Sequence, residues 1–224
     1  MIWMKSVKLP VLIAICVFLF FGAGCAAPEP KIILLAGFEP YGGYDFNTSF
    51  EAIKTFDGKK FGGYEVRIAE LPVSWGKSAE KLFLEIEKNK PSIVICSGMG
   101  TPKIRVETIA RNRTEQQPDN EKKLPPAGGR VVADGPFTYN TGLPVLSIID
   151  KIRSAGIPVA LGDDAGGYLC GWTFYQLMHR VHGTKVLGGF VHVPVARKGS
   201  EAEREIIRAW EILLNEIIIS KSNP

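Results

Sequence analysis

Short runs of β-branched and aliphatic residues recur along this chain, with segments of helical spacing between them. Lys31-Ile32-Ile33-Leu34-Leu35-Ala36, Tyr64 to Leu71, Ser92 to Cys96, Ile157 to Leu161 and Val186 to Val193 each have the length of a strand. Continuous apolar runs this short, bounded by glycine and proline, read as buried strands, and Tyr64 to Leu71, which carries Glu65, Arg67 and Glu70, reads as a strand without such a run. Between them Ala79, Leu82, Phe83 and Ile86 fall at i, i+3, i+4 and i+7, the apolar stripe of a helix that packs on a sheet. The same reading places helices from Thr48 or Ser49 to about Phe56, from Gly142-Leu143-Pro144 to about Ala155 (Leu146, Ile149 and Ile152 inward), from Leu169 to His182, and from Glu201 to Ile219. In the last, Ile206, Ala209, Trp210, Leu213 and Ile217 form the packing face. Alternating strands and helices predict an α/β domain with helices on both faces of a largely parallel sheet. No repeat or second domain is visible, and 224 residues suffice for one full core.

The first thirty residues do not share this pattern. Lys5 and Lys8 precede an unbroken apolar run, Val11 to Phe21, and then Gly22-Ala23-Gly24-Cys25. This is the arrangement of a secretory signal, and the cysteine after small residues resembles the lipobox of bacterial lipoproteins. The expected division is a signal peptide over 1–24, lipidation at Cys25, a proline-rich tether over 25–30, and a folded domain over 31–224. Gly22 stands where a lipobox usually has leucine. An uncleaved anchor over Leu9–Ala27, 19 uncharged residues, and a plain secretory signal are the alternatives. All three put the domain outside the cytoplasm.

Charge bears on partners. The chain carries 27 basic and 23 acidic residues, and without Lys5 and Lys8 the balance is +2. That is too even to point to nucleic acid. Of four cysteines, Cys16 and Cys25 belong to the leader, leaving Cys96 and Cys170. This is neither a disulfide framework nor a CxxC metal pattern. Cys96 lies in an apolar run and reads as an inert core thiol, with a Cys96–Cys170 disulfide as the alternative.

Cys170 sits differently. Ala165-Gly166-Gly167 breaks the chain after the Ile157–Leu161 strand, and the helix beginning at Leu169 puts Cys170 in its first turn. Unpaired N–H groups and the helix dipole favour a thiolate there. His192 interrupts an apolar run, so its ring needs polar partners. Glu107 lies in a strand-like alternation, Ile104 to Arg111, between Arg105 and Arg111; a surface salt bridge is its bland reading. A cysteine, a histidine and an acid are the set that thiol acyl transfer requires. Thr114 to Gly129 reads as a long loop over a site, Gly98 to Pro102 as a turn, and Val131 to Ala133 as a short edge strand. His179 and His182 read as structural cations at a helix C-terminus.

The ordered motifs resemble the pyroglutamyl peptidase I family of cysteine peptidases. They are Gly37-Phe38-Glu39-Pro40-Tyr41-Gly42-Gly43, Val106-Glu107-Thr108-Ile109-Ala110-Arg111-Asn112, Pro118-Asp119-Asn120, Gly135-Pro136 with Thr141-Gly142-Leu143-Pro144, Ala165 to Cys170, and Gly189 to Pro194. The resemblance implies a three-layer α/β/α sandwich around a mixed sheet, no metal or cofactor, and an enzyme that often forms homo-oligomers. It implies that Cys170 is the nucleophile, His192 the base and Glu107 the orienting acid, acting on peptides with N-terminal pyroglutamate. Phe38, Tyr41, Tyr168 and Leu169 match residues lining the lactam pocket. Glu70 matches a position whose backbone bonds the lactam in some members. The chain departs from the family at Gly171, where asparagine is usual, and at Thr108, where arginine is usual. An arginine before the acid is missing, with Lys103 or Arg105 as substitutes, and Asp163-Asp164 replaces smaller residues.

Overall fold

The computed structural model describes residues 30–222. The expected leader and the lipidation site Cys25 lie outside the described residues. Strands β1 (Lys31–Phe38), β2 (Lys60–Phe61), β3 (Tyr64–Leu71), β4 (Ile93–Met99), β5 (Ile104–Glu107), β6 (Ile109–Arg111), β7 (Thr138–Asn140), β8 (Val159–Gly162) and β9 (Leu187–Val193) are interleaved with five helices. These are α1 (Thr48–Ile53), α2 (Lys77–Asn89), α3 (Val145–Ser154), α4 (Leu169–Val181) and α5 (Glu201–Ser222). Seven strands form one sheet in the order β2-β3-β1-β4-β9-β5-β8, and β6 pairs with β7 separately. β3, β1, β4 and β9 are parallel, while β5 runs antiparallel to β9 and parallel to β8. The largely parallel mixed sheet expected from the sequence is thus present.

Period-two alternation builds two cores from each central strand. Ile33 and Leu35 of β1 join Ile53, Ile148, Trp210 and Leu213 beneath α1, α3 and α5. Leu34, Ala36 and Phe38 join Leu82, Phe174 and Leu177 beneath α2 and α4. With helices on both faces, the central strands have no polar face, which is why they read as unbroken apolar runs. Among the described residues no helix is long and apolar enough to cross a membrane.

Several local expectations are corrected. The cap of α1 is Asn47, whose side chain accepts from Ser49 N–H at 3.0 Å, rather than Thr48 or Ser49. β8 is an edge strand, with Leu161 half exposed, not a doubly buried one. Leu146 is exposed and Ile148 takes the inward position. Residues 131–133 form no strand, and Gly98 and Met99 extend β4 instead of turning. The expected strand over 104–111 is broken at Thr108. Its N–H and hydroxyl both donate to the Gly162 carbonyl, at 2.8 and 2.7 Å. That ends the ladder with β8 and sends the chain into the small sheet packed on α4.

Candidate active site

The site forms where the C-terminal ends of β4 and β9 lie beside the start of β5. Gly166, at φ +80°, makes the turn that only glycine accommodates easily, and Tyr168 is extended before α4 begins. Cys170 therefore lands in the first helical turn, where N–H groups have no intrahelical partners. Its sulfur lies over Gly98 of β4: a Cβ placed there would lie 2.6 Å from Cys170 Sγ and 3.1 Å from His192 Cδ2. His192 is the register partner of Gly98 on β9, so one missing side chain makes the room in which sulfur and imidazole meet. His192 Nδ1 is 2.8 Å from Glu107 Oε1. With Nδ1 engaged, Nε2 is the nitrogen left for the thiol. Burial pulls the His192 pKa down, but contact with the Cys170 sulfur and with Glu107 outweighs it and raises the pKa to about 9.

Glu107 is not the surface ion pair of the bland reading. It is wholly buried. Its register partner on β8 is Gly162, where a Cβ would lie 2.2 Å from Oε2. The glycine leaves the volume that the carboxylate fills. No sequence signal marks that pairing, because it depends on the register of two strands more than fifty residues apart.

Beside Cys170 is a narrow slot lined by Phe38, Tyr41, Asn47, Val73, Met99, Tyr168, Leu169 and Cys170. Polar ends of its side chains are bonded within the protein. Tyr41 Oη donates to Met99 O (3.0 Å), Tyr168 Oη donates to Pro118 O (3.2 Å), and Asn47 Nδ2 donates to Glu39 O (2.9 Å). A ligand in the slot thus meets ring faces and aliphatic carbon. Burial pushes the Tyr168 phenol up to about 12 and also raises Tyr41, so both stay neutral. The loop over 114–129 lies behind Tyr168, through the bond to Pro118 O. Buried Asp119 accepts from the N–H groups of Trp75, Glu121 and Lys123 at 2.8–2.9 Å. Trp75 in turn packs edge-on against Tyr168 and Trp172. Phe38, Tyr41, Tyr168 and Leu169, which the resemblance assigns to a lactam pocket, line this slot together with Asn47, Val73 and Met99, which the sequence did not single out. Glu70 does not line the slot. It is exposed on β3 and borders a separate open depression with Glu39, Pro72 and Lys77.

A family model described as Pyroglutamyl peptidase matches residues 31–204. The chain belongs to the pyroglutamyl peptidase family. It is similar to a pyrrolidone-carboxylate peptidase of Bacillus licheniformis, 40% identical over 169 residues that make up 73% of this chain and 78% of that protein. Among solved structures it resembles pyroglutamyl peptidase I from Bacillus amyloliquefaciens, with a TM-score of 0.78 and 34% identity over 85% of this chain and 96% of that one. Pyrrolidone carboxyl peptidase from Thermococcus litoralis gives a TM-score of 0.79 at 31% identity, covering 86% of this chain and 96% of that one. These likenesses bear out the expected α/β fold and cysteine-peptidase class. Nearly all of each of these two solved relatives is matched by part of this chain.

Set against the family's sequence pattern, the departures have physical explanations. A Cβ on Gly171 would lie 1.8 Å from the Gly166 carbonyl oxygen, so this turn excludes an asparagine there. Asp164 faces away from the imidazole. Its carboxylate accepts from Gly166 N–H (2.9 Å) and Arg113 (2.9 Å), with Arg111 at 3.8 Å. Burial opposes ionisation of Asp164, but these donors hold its pKa below the usual carboxylate range. Arg105 Nη2 lies 3.3 Å from Glu107 Oε2 and donates to Asp164 O at 3.0 Å. Its guanidinium supports the acid and the turn, and neither Arg105 nor Lys103 lines the slot. Cys96 is buried and free; burial, with Cys170 nearby, drives its thiol pKa far up. It is the inert core thiol expected.

Proposed function

We propose that this chain is a thiol exopeptidase that removes N-terminal pyroglutamate from peptides, with Cys170, His192 and Glu107 as its triad. The observation that carries the reading is the Glu107–His192–Cys170 line ending at the mouth of an apolar, uncharged slot. Pyroglutamate is a small flat lactam without the ammonium of an ordinary N-terminus. A slot of ring faces accepts it and rejects a free ammonium, which would lose its hydration without a counter-charge.

In the reaction Cys170 Sγ attacks the pyroglutamyl carbonyl carbon. First-turn N–H groups of α4 are placed to donate to the oxygen as it becomes negative. His192 delivers its proton to the leaving amine, the C–N bond breaks, and a thioester remains. A water molecule then gives a proton to His192 and attacks the thioester; the thiolate leaves and pyroglutamate is released. Glu107 fixes the ring so that Nε2 faces the sulfur and stabilises the imidazolium. The test is release of aminocoumarin from a pyroglutamyl conjugate by residues 28–224 under reducing conditions. Wild type should turn over and Cys170→Ala should not. Equal release by both overturns the assignment.

The leader supports a second proposal, that the enzyme is exported and held at the bacterial envelope by a lipid on Cys25. The support is the run Val11–Phe21 followed by Gly22-Ala23-Gly24-Cys25. Fatty-acid labelling of the full chain should vanish in Cys25→Ser, and unchanged labelling refutes the lipid site.

A further inference from the structure

The two ends of the sheet differ in character. The slot lies where β1, β4 and β9 finish. At the other end the strands begin, and lysines gather there. Lys31 opens β1. Lys90 caps α2, two residues before Ser92, whose N–H donates to Ile32 O at 2.9 Å. Lys185 lies two residues before Leu187, whose N–H donates to Ser92 O at 3.0 Å. These bonds tie three lysines to the starts of three adjacent strands, each spaced about 5 Å from the next. Lys60 sits beside the β2–β3 turn. Lys221 ends α5 one turn beyond Ile218, which packs on Gly62 of that turn.

Four of the five are exposed and Lys221 is half-buried. None has an ion-pair partner among the described residues; Lys88, Lys103, Lys122, Lys151 and Lys198 are likewise unpaired, so what sets these five apart is their gathering at one end of the sheet. Glu65, the register partner of Lys60, pairs with Arg67, and Glu87 pairs with Arg180. With a net balance of only +2 over residues 25–224, such clustering is an asymmetry of placement, not of composition.

We propose that this lysine-bearing end rests on an anionic phospholipid surface, with the slot at the opposite end turned to the aqueous side. The inference builds on the lipid-anchor reading of the leader. The chain outside the described residues joins the domain at Pro30, next to Lys31. Five residues lie between Cys25 and Lys31, six Cα–Cα steps with a reach of at most about 20 Å. An anchor at Cys25 therefore keeps this end within a few Debye lengths (each about 8 Å) of the headgroups. β1 spans eight residues, so Phe38 in the slot lies roughly 23 Å farther out. The substrates of such an enzyme are peptides arriving from solution.

The test separates the patch from the anchor by leaving the anchor out. Residues 28–224 are sedimented with vesicles of phosphatidylcholine alone and with vesicles containing one-third phosphatidylglycerol. Binding to the anionic vesicles only, released by salt, is expected. Each lysine near such a surface contributes about fivefold in partitioning, so Lys31→Gln/Lys90→Gln/Lys185→Gln should bind about a hundredfold more weakly. Dye release by this variant should be unchanged, as should that of wild type saturated with anionic vesicles. Equal binding to neutral vesicles, or no loss in the triple variant, overturns the patch. Tighter retention on double-stranded DNA than on the vesicles overturns the lipid assignment, and a rate that falls when vesicles are added overturns the orientation. Vesicle binding in a protein whose full chain takes no fatty acid upholds the patch and removes the anchor alone.

Discussion

Gly162→Ala is expected to disable the enzyme without unfolding it. An added methyl would lie 2.2 Å from Glu107 Oε2 and 2.6 Å from Oε1, where real contacts stay beyond 3.0 Å. Oε2 must retreat by about 0.8 Å and Oε1 by about 0.4 Å, yet the carboxylate is wholly buried. A retreat of about 0.4 Å stretches the 2.8 Å bond to His192 to about 3.2 Å, the outer limit of a normal hydrogen bond. Displacements approaching 1 Å in a catalytic group cost on the order of a hundredfold in rate. Overpacking adds about 1–3 kcal/mol of destabilisation, a few degrees to about 10 °C in Tm for a domain this size. The sharper signature is in pH. Glu107 helps hold the His192 pKa at about 9, so loosening it should move the basic limb of kcat/KM downward toward 6.5. The measurement is a pH profile of dye release beside a thermal melt. Activity within a few-fold of wild type and an unmoved basic limb would refute the role given to the Glu107–Gly162 pairing.

Other perturbations follow from the same geometry. His192 has a folded pKa above its ordinary 6.5, so the stability due to its protonation is fully present below that value and is lost as pH rises through about 9. Wild type should therefore exceed His192→Gln in urea stability by up to about 3 kcal/mol at pH 6, with the gap narrowing at pH 10. Asp119→Ala removes the acceptor for three buried or half-buried N–H groups and frees Trp75, which packs behind the slot residue Tyr168. It should cost roughly 1–3 kcal/mol and raise KM more than it lowers kcat, as Michaelis plots would show. Gly171→Asn should abolish turnover in the wild-type background, where the Gly166 carbonyl blocks the side chain. Combined with Asp164→Ala, which unties that turn, it should do less additional harm, and strict additivity in melting experiments would contradict the coupling.

The sequence carried the fold where a strand is covered on both faces, because burial there leaves an unbroken apolar run. β1, β4 and β9 were legible for that reason, and α5 by its stripe from Ile206 to Ile217. It carried less at the sheet's edges. β2 and β7 are two and three residues long, too short for any period to emerge. Residues 104–111 alternate like one strand, and only the bonds of Thr108 to Gly162 reveal two. In the site, Cys170 was legible from its turn and helix. Glu107 was ambiguous, since a charge between two arginines looks solvated until Gly162 is seen across from it. Asn47, Val73 and Met99 were invisible because they reach the slot from three separate elements.

Two of the departures from the family pattern, Asp164 and Gly171, meet in one turn. Asp164 draws the Gly166 N–H toward itself and is held in place by Arg113, while Arg105 grips the Asp164 carbonyl from β5. The turn so fixed puts the Gly166 carbonyl against Gly171, and the lack of a side chain at 171 is what lets it stay. An aspartate and a glycine that look like two independent losses are thus parts of the same packing solution. The added carboxylate is neutralised by arginines that bring no net charge to His192, whose protonation is governed instead by burial, Cys170 and Glu107. Arg105, beside Glu107 as well, ties the acid of the triad to the turn that delivers its nucleophile. The Glu107–His192–Cys170 arrangement is therefore held here by contacts that include Asp164 and Gly171, two of the positions at which the chain departs from the family pattern.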